Sequence, residues 1–168
     1  MKKLLLIIFS FTLILNSVFA AAFKAGSEPE GFRGFKWGSE LSSINNMEYI
    51  ETKPDPGFPE RSLELYRHGS DTLKIGEAKL DSITYEFLEK KLQIVSIIIS
   101  GKKNLSLLKK ELFKRYGKGI SGEITGAELY TWGGDNTRMI LFFNNQLDKG
   151  VLDLISKKFY EEVTPKKQ

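Results

Sequence analysis

Hydrophobic and polar residues alternate most regularly in the segment "SITYEFLEKKLQIVSIIIS", which breaks at the charged letters "EKK" and continues as a β-branched run. Because successive side chains of a strand point to opposite faces of its sheet, this pattern predicts a β-hairpin. A two-residue loop at Glu89–Lys90 would place Phe87 opposite Leu92 and Tyr85 opposite Ile94. The run "VSIII" is apolar at both parities, which predicts a central strand covered on both faces.

A different period appears in "KNLSLLKKELFKRYG", where apolar residues recur at spacings of three and four and lysines occupy positions between them. This pattern predicts an amphipathic α-helix over residues 104–116 that packs one stripe on the sheet. Asn104 is the expected N-cap, and Gly117 is the expected residue after the last turn. The stripe consists of Leu105, Leu108, Leu112 and Tyr116.

Two later segments, "AELYTW" and "TRMILFF", are predicted to form a hairpin across "GGDN". Their parity places Trp132 on the same face as Met139. A last strand is expected at "GVLDLIS". The segment "GKGISGEITG" is expected to be a glycine-rich loop between the helix and this hairpin.

Near the start, "GFRGFKW" predicts a short strand, and Ser39 is a good N-cap for a short helix that carries Leu41 and Ile44. "ETKPDPGFPE" holds so many prolines that it predicts a surface loop. Hairpins dominate this order, and no alternation of strands and helices supports a parallel sheet. The predicted fold class is α+β: an antiparallel, hairpin-rich sheet with one long helix (residues 104–116) packed on a face and a short N-terminal helix.

The first residues have the pattern of a signal peptide. Lys2 and Lys3 precede an apolar run of about a dozen residues, shorter than the roughly 20 that span a bilayer as a helix, and small residues follow at Ala20. We expect residues 1–20 to be a signal peptide removed on export, with an uncleaved membrane tether as the alternative. The remaining divisions are a flexible leader (21–30), a single α+β domain (31–160) and a basic tail (161–168).

Composition narrows the class of protein. The chain contains no cysteine, so an exported fold must be stabilised by packing, and thiolate metal sites are excluded. Removing residues 1–20 takes away two lysines and no acid, which lowers the formal charge from +4 to +2. Such a small charge argues against a nucleic-acid partner. We expect a periplasmic or secreted protein that meets the membrane only if the signal segment is retained.

No group of residues has the pattern of a catalytic or metal site. His68 is the only histidine, and "HGSD" resembles a strand end and a turn more than a Ser–His–Asp arrangement. "GGDN" lacks the ligand spacing of a calcium loop, and "YGKGISGEITG" lacks the G-K-[ST] of a phosphate loop. We expect no catalytic residue, no metal and no cofactor. Carboxylates such as Glu86 or Asp135 are the candidates if the protein is a hydrolase.

A candidate binding surface combines two tryptophans with two arginines: Arg33, Trp37, Trp132 and Arg138. Aromatic faces beside cations would suit a sugar or a peptide. The alternative is that both tryptophans are core residues, and strand parity favours it, since each shares a face with apolar neighbours (Trp37 with Phe35). Tryptophan is readily buried when its indole N–H finds an acceptor.

The segments "FRGFKWGSELSSI" and "YTWGGDNTRMILFF" resemble those of a group of small, uncharacterised exported bacterial proteins. Such proteins typically begin the mature domain with an F-R-G-x-x-W-G strand followed by a short helix. The resemblance spans most of residues 31–156, and its motifs are structural and weakly specific. It implies a compact periplasmic or secreted domain and transfers no catalytic residue.

Two functions from different classes fit these observations. The first is an exported non-enzymatic globular domain, a periplasmic binding or accessory protein of unknown specificity. Its partner would be a protein, a peptide or a glycan of the cell envelope. The alternative is an envelope-acting hydrolase that uses carboxylates. Two buried carboxylates lining one cleft would favour the enzyme, whereas isolated exposed acids would favour the binding protein.

Overall fold

The structure, a computed structural model, describes residues 21–164 apart from the side chains of residues 123 and 124. The predicted signal peptide (1–20) and the end of the predicted basic tail (165–168) lie outside the described residues. Strands make up 49% of the described residues and helices 18%, so this α+β protein is mostly sheet there. In chain order the strands are β1 (Ala21–Ala22), β2 (Gly31–Phe32), β3 (Phe35–Lys36), β4 (Met47–Pro54), β5 (Ser62–His68), β6 (Lys74–Ile75), β7 (Ala78–Lys79), β8 (Ser82–Leu88), β9 (Lys91–Ser100), β10 (Ile120–Ile124), β11 (Ala127–Gly133), β12 (Thr137–Asn144) and β13 (Lys149–Ser156).

Nine of these strands form one mixed sheet in the order β1-β11-β12-β13-β9-β8-β5-β4, with β10 paired to β11. The prediction of an antiparallel sheet is wrong, because β1 runs parallel to β11 and pairs with Trp132 and Gly133. β10 covers β11 only as far as Thr131, which leaves the backbone groups of the next two residues to bond with β1. The pairs β2–β3 and β6–β7 form two small separate hairpins.

The predicted short N-terminal helix is also wrong: a single 3₁₀ turn covers Leu41–Ser43, with no side-chain cap. The backbone around it bonds to the start of β9 instead. The amide of Gly38 donates to the carbonyl of Leu92 (2.8 Å), and the amide of Leu92 donates to the carbonyl of Ser39 (3.0 Å). Since these long-range bonds satisfy the backbone, the segment is held extended and does not continue as a helix.

Two α-helices lie within residues 21–164, α1 (Lys102–Tyr116) and α2 (Lys157–Val163). The N-cap of α1 is Gly101 and not Asn104. The side chain of Asn104 instead donates to the carbonyl of Ser100 (2.9 Å) and accepts from the amide of Lys79 (3.2 Å), which ties α1 to β7. The residues of α1 that are buried are Leu105, Leu108, Leu112 and Tyr116.

The β8–β9 hairpin has a register that a bulge changes. Phe87 lies opposite Leu92, as predicted, but Tyr85 lies opposite Val95 and not Ile94, because β9 has an extra residue between the two pairs. The two loop residues have φ angles of 48° and 64°. A type I′ turn, which needs positive φ at both positions, therefore forms here without glycine.

Three further segments differ from their predictions. Part of the predicted glycine-rich loop is the strand β10, which pairs with β11. Residues 51–54 of the predicted proline-rich loop belong to β4, an edge strand, where Pro54 is tolerated at the last position. Residues 161–163 of the predicted basic tail belong to α2, because Phe159 and Val163 are buried against the sheet one helical turn apart.

The sheet is buried on both faces, and each face has its own core. On the α1 face, alternate strand residues pack with the leucines of α1, and Trp132 lies opposite Met139 as predicted. On the α2 face, the other set packs with Phe159 and Val163. The α1 face includes Val95, Ile97, Met139, Leu141, Leu152 and Leu154. The α2 face includes Ile94, Ile140, Phe142, Val151 and Ile155.

Candidate functional site

A cavity of about 320 Å³ lies between α1, the β6–β7 hairpin, the β2–β3 hairpin and the α1 face of the sheet. This volume is at the lower end of the range for small-molecule sites, about 300–1,000 Å³. The residues that line it are Gly31, Phe32, Arg33, Lys74, Ile75, Gly76, Glu111, Leu112, Arg115, Tyr116, Met139, Leu152 and Leu154.

The floor of the cavity is apolar. Met139, Leu152 and Leu154 come from neighbouring strands β12 and β13, and they reach the same face because each occupies a position of one parity. Leu112 and Tyr116 close the floor from α1, where they lie one helical turn apart. All five side chains are buried. The inner end of the cavity is therefore formed by aliphatic and aromatic side chains that solvent barely reaches.

The β6–β7 hairpin forms one wall, and a glycine fixes how closely it approaches α1. Gly76 has a φ of +55°, and a Cβ atom placed on it would lie 2.4 Å from Cγ of Glu111. The positive φ favours glycine, and the missing side chain lets the hairpin backbone rest against Glu111 without displacing it. Ala78, two residues further along the hairpin, is fully buried. The β6–β7 hairpin is therefore packed against α1.

Arg33 holds the same hairpin from the other side. Its Nη1 donates to Oδ1 of Asp71 (2.8 Å), and its Nη2 donates to the carbonyls of Thr72 (2.7 Å) and Lys74 (2.8 Å). Asp71 also accepts from the hydroxyl of Tyr85 (2.9 Å). Burial, together with this hydrogen bond, raises the pKa of Tyr85 above its usual range, so the phenol remains a donor. Arg33 and Asp71 therefore form an ion pair without net charge, and Arg33 holds the β6–β7 hairpin in place.

The segment that carries Arg33 is a hairpin and not the single strand that was predicted. Arg33 and Gly34 have φ angles of 50° and 89°, which make the two-residue turn between β2 and β3. His68 lies beside this network, with its Nδ1 3.9 Å from Oδ1 of Asp71 and its ring 5.3 Å from that of Phe35. The histidine packs against the hairpin.

The mouth of the cavity carries charges that are not neutralised. Within residues 21–164, the side chains of Lys74, Glu111 and Arg115 form no hydrogen bond or ion pair, and Arg115 lies over the Tyr116 ring at 5.8 Å. Arg33 is already paired with Asp71. Among the described residues that line the cavity, two unpaired cations therefore face one carboxylate, which leaves one positive charge in this lining.

The four residues of the predicted binding surface do not meet. Of these, only Arg33 lines the cavity. Trp132 is fully buried, and its indole N–H donates to the carbonyl of Gly117 (2.8 Å). Trp37 is half-buried and donates to the hydroxyl of Thr137 (2.7 Å). Both tryptophans are thus anchored to the backbone or side chains of the fold.

Arg138 lies on the other side of the sheet. It neighbours Met139 along β12, so it points away from the cavity floor. Its guanidinium lies over the ring of Tyr160 at 5.3 Å, and burial lowers its pKa. Sequence reasoning missed Lys74 and Arg115, and it did not select Glu111 as a site residue. Glu111 and Arg115 are four residues apart beside the apolar stripe of α1, which was a usable signal.

A second polar arrangement is buried on the α2 face. The hydroxyl oxygen of Ser96 lies 3.0 Å from Oε1 of Glu86 and 2.7 Å from Oδ1 of Asp153. Nζ of Lys53 lies 2.8 Å from the other oxygen of Glu86. Both carboxyl residues are 1% exposed. We call these four residues the buried polar cluster.

The cluster requires a shared proton. The hydroxyl of Ser96 has one hydrogen and cannot donate to two carboxylates at once, so one carboxyl must donate to it. The pKa of Asp153 is raised to about 7, first by burial and also by the charge of Glu86, whereas the bond with Ser96 and the charge of Lys53 oppose the shift. Asp153 is thus the carboxyl that carries the proton in acidic solution, below about pH 7.

The remaining candidates for chemistry are scattered. The carboxylate of Asp135 is 98% exposed, with Lys157 at 3.9 Å. Across residues 21–164, no three His, Asp or Glu side chains are placed to hold a metal ion.

Comparisons with known proteins add no relative: no family model, no curated protein and no solved structure matches the chain. None of the helices in the described part of the chain has the length and apolar character needed to cross a membrane.

Proposed function

We propose that the protein is an exported, non-enzymatic binding protein whose ligand site is the cavity beneath α1. The observation that carries this proposal is the combination of a buried apolar floor with a mouth that keeps one positive charge. Sites for small molecules usually combine mostly apolar walls with a few polar groups that orient the ligand. The cavity has both parts.

The position of the carboxyl groups favours binding over hydrolysis. Glu86 and Asp153 are both buried, but they lie on the α2 face, on the far side of the sheet from the cavity. Their oxygens already bond with Ser96 and Lys53. Glu111 is the one acid among the described residues that line the cavity, and glycoside hydrolysis needs two carboxyl groups that flank the scissile bond.

The cellular setting remains a prediction from the sequence. The signal-peptide pattern supports a periplasmic or secreted protein, and the resemblance to small exported bacterial proteins agrees with that location. A small ligand is a narrower proposal than the protein, peptide or glycan partner first expected. The dispersed positions of Arg33, Trp37, Trp132 and Arg138 favour the narrower one.

A neutral apolar fluorophore tests the proposal without assuming the charge of the ligand. We expect N-phenyl-1-naphthylamine to bind to the protein and Leu154→Trp, which fills the floor, to abolish the signal. Ile155→Trp is the matched control, because this neighbouring residue is equally buried on the opposite face. If Leu154→Trp fails to fold, Leu112→Trp fills the cavity from α1. Equal binding by the filled variants and the control would refute the site.

The hydrolase alternative has one observation in its favour: two buried carboxyl groups, Glu86 and Asp153, lie within hydrogen-bond distance of the same Ser96 hydroxyl. It predicts that the protein releases soluble fragments from purified cell-envelope polymer and that Glu86→Gln stops the release. We expect no release by either protein. Release by the wild type alone would establish the hydrolase and remove the binding protein as the leading proposal.

A further inference from the structure

We infer that the ligand of the cavity is a small amphiphile with a single negative charge, such as a medium-chain carboxylate. This inference rests on the proposed function and adds the chemical class of the ligand. It follows from three features of the site: the floor, the balance of charge at the mouth and the volume.

The apolar floor predicts that the inner part of the ligand is apolar. Met139, Leu152 and Leu154 offer no hydrogen-bonding group, so a polar group placed there would lose its water without gaining a partner. An aliphatic chain in the same place would lose only unfavourable contact with water. The inner end of the ligand is therefore hydrocarbon.

The charges at the mouth predict that the ligand carries one negative charge. Lys74 and Arg115 contribute two positive charges, and Glu111 contributes one negative charge, which leaves one positive charge. Arg33 adds nothing to this balance, because Asp71 neutralises it at 2.8 Å. A monoanion would complete the balance. A phosphate dianion would leave an excess negative charge beside Glu111, and a cation would be repelled.

The volume places the ligand among small molecules. A cavity of about 320 Å³ lies at the lower end of the range for small-molecule sites, about 300–1,000 Å³. A short amphiphile such as octanoate suits a site of this size.

Three probes of equal length separate the contributions of charge and chain. We would titrate octanoate, octanol and octylammonium into protein purified from cells that express the full-length chain, using calorimetry. A charge-assisted hydrogen bond predicts that octanoate binds about tenfold to a hundredfold more tightly than octanol. Octylammonium is expected to bind more weakly than octanol.

Charge variants at the mouth sharpen the test. Arg115→Gln should weaken octanoate binding about tenfold and leave octanol binding unchanged. Glu111→Gln should strengthen octanoate binding, because it removes the one negative charge at the mouth. Lys114→Gln is the matched control: it removes the same charge one residue away on α1 but does not line the cavity.

The outcomes distinguish the two proposals. If octanol or octylammonium binds as tightly as octanoate, and Leu154→Trp abolishes that binding, the monoanion is wrong and the binding site stands. If none of the three probes binds, both the ligand class and the proposed function are wrong. Equal losses from Arg115→Gln and Lys114→Gln would also overturn the inference, because they would show only a general attraction of charge.

Discussion

The two faces of the sheet bury similar aliphatic side chains, but the apolar packing of each face is interrupted by a different feature. On the α1 face the interruption is a cavity between α1 and the β6–β7 hairpin. On the α2 face it is the buried polar cluster, whose groups bond to one another. Leu154 and Asp153 are adjacent in β13, yet one lines the cavity and the other belongs to the cluster. Strand parity alone separates a surface suited to a ligand from one that stabilises the fold.

We expect the largest loss of stability when the cation of the buried polar cluster is removed. Lys53→Met should lower the free energy of unfolding by about 3–5 kcal/mol, because it leaves the carboxylate of Glu86 buried without its partner. Urea denaturation measures this loss. Lys36→Met is the control, since its ion pair with Glu30 is exposed and should contribute less than about 1 kcal/mol. Equal losses would show that the cluster is no more than a surface pair.

The next effect is a dependence on pH. Between about pH 4 and pH 7, Asp153 is protonated in the folded protein and ionised in the unfolded chain, because its pKa is raised from 3.8 to about 7. The folded state then binds more protons, so stability falls as the pH rises through this window. The total loss is on the order of 4 kcal/mol.

Asp153→Asn isolates this contribution, because asparagine can still bond to Ser96 but does not titrate. The stability of the wild type relative to Asp153→Asn should decrease steadily from pH 4 to pH 7 and level off above. Other carboxylates, such as Glu28, whose pKa is lowered by backbone hydrogen bonds despite partial burial, cancel in this difference. A flat difference would contradict the shared proton.

The smallest expected effect compares the space on the two faces. Ile155→Phe should cost about 1–3 kcal/mol, because it inserts volume into a packed core. Leu154→Phe should cost less, because its ring can enter the cavity. Urea midpoints of the two variants provide the comparison. If Leu154→Phe is the more harmful, the α1 face has no usable space.

Local patterns predicted those features of the fold that depend on neighbours in sequence. The opposition of Phe87 and Leu92, and of Trp132 and Met139, follows from parity across short loops. The predicted N-terminal helix failed because the backbone near Ser39 bonds to β9, about fifty residues away in sequence. No propensity of the segment itself reports such a partner.

The candidate site was harder to predict because two hairpins, α1 and two strands of the sheet, all separate in sequence, assemble it. Arg33 was selected for its place beside aromatic residues, and it does line the cavity. Arg115 and Lys74 are surface charges in the sequence and become a pair of cations only when the β6–β7 hairpin packs on α1. Gly76 marks that contact, but its need for close approach to Glu111 is visible only in three dimensions.

The most direct test of the cavity as a binding site is the NMR signal of one methyl group. The chain has three methionines. Met139 lies in the cavity floor, whereas Met47, on the edge strand β4, does not line the cavity. With methyl-labelled methionine, saturating octanoate should shift the Met139 methyl signal and give nuclear Overhauser contacts from it to the aliphatic chain, and Met47 should remain unchanged. Contacts to Met47 alone, or no contact to Met139 at saturation, would contradict the account.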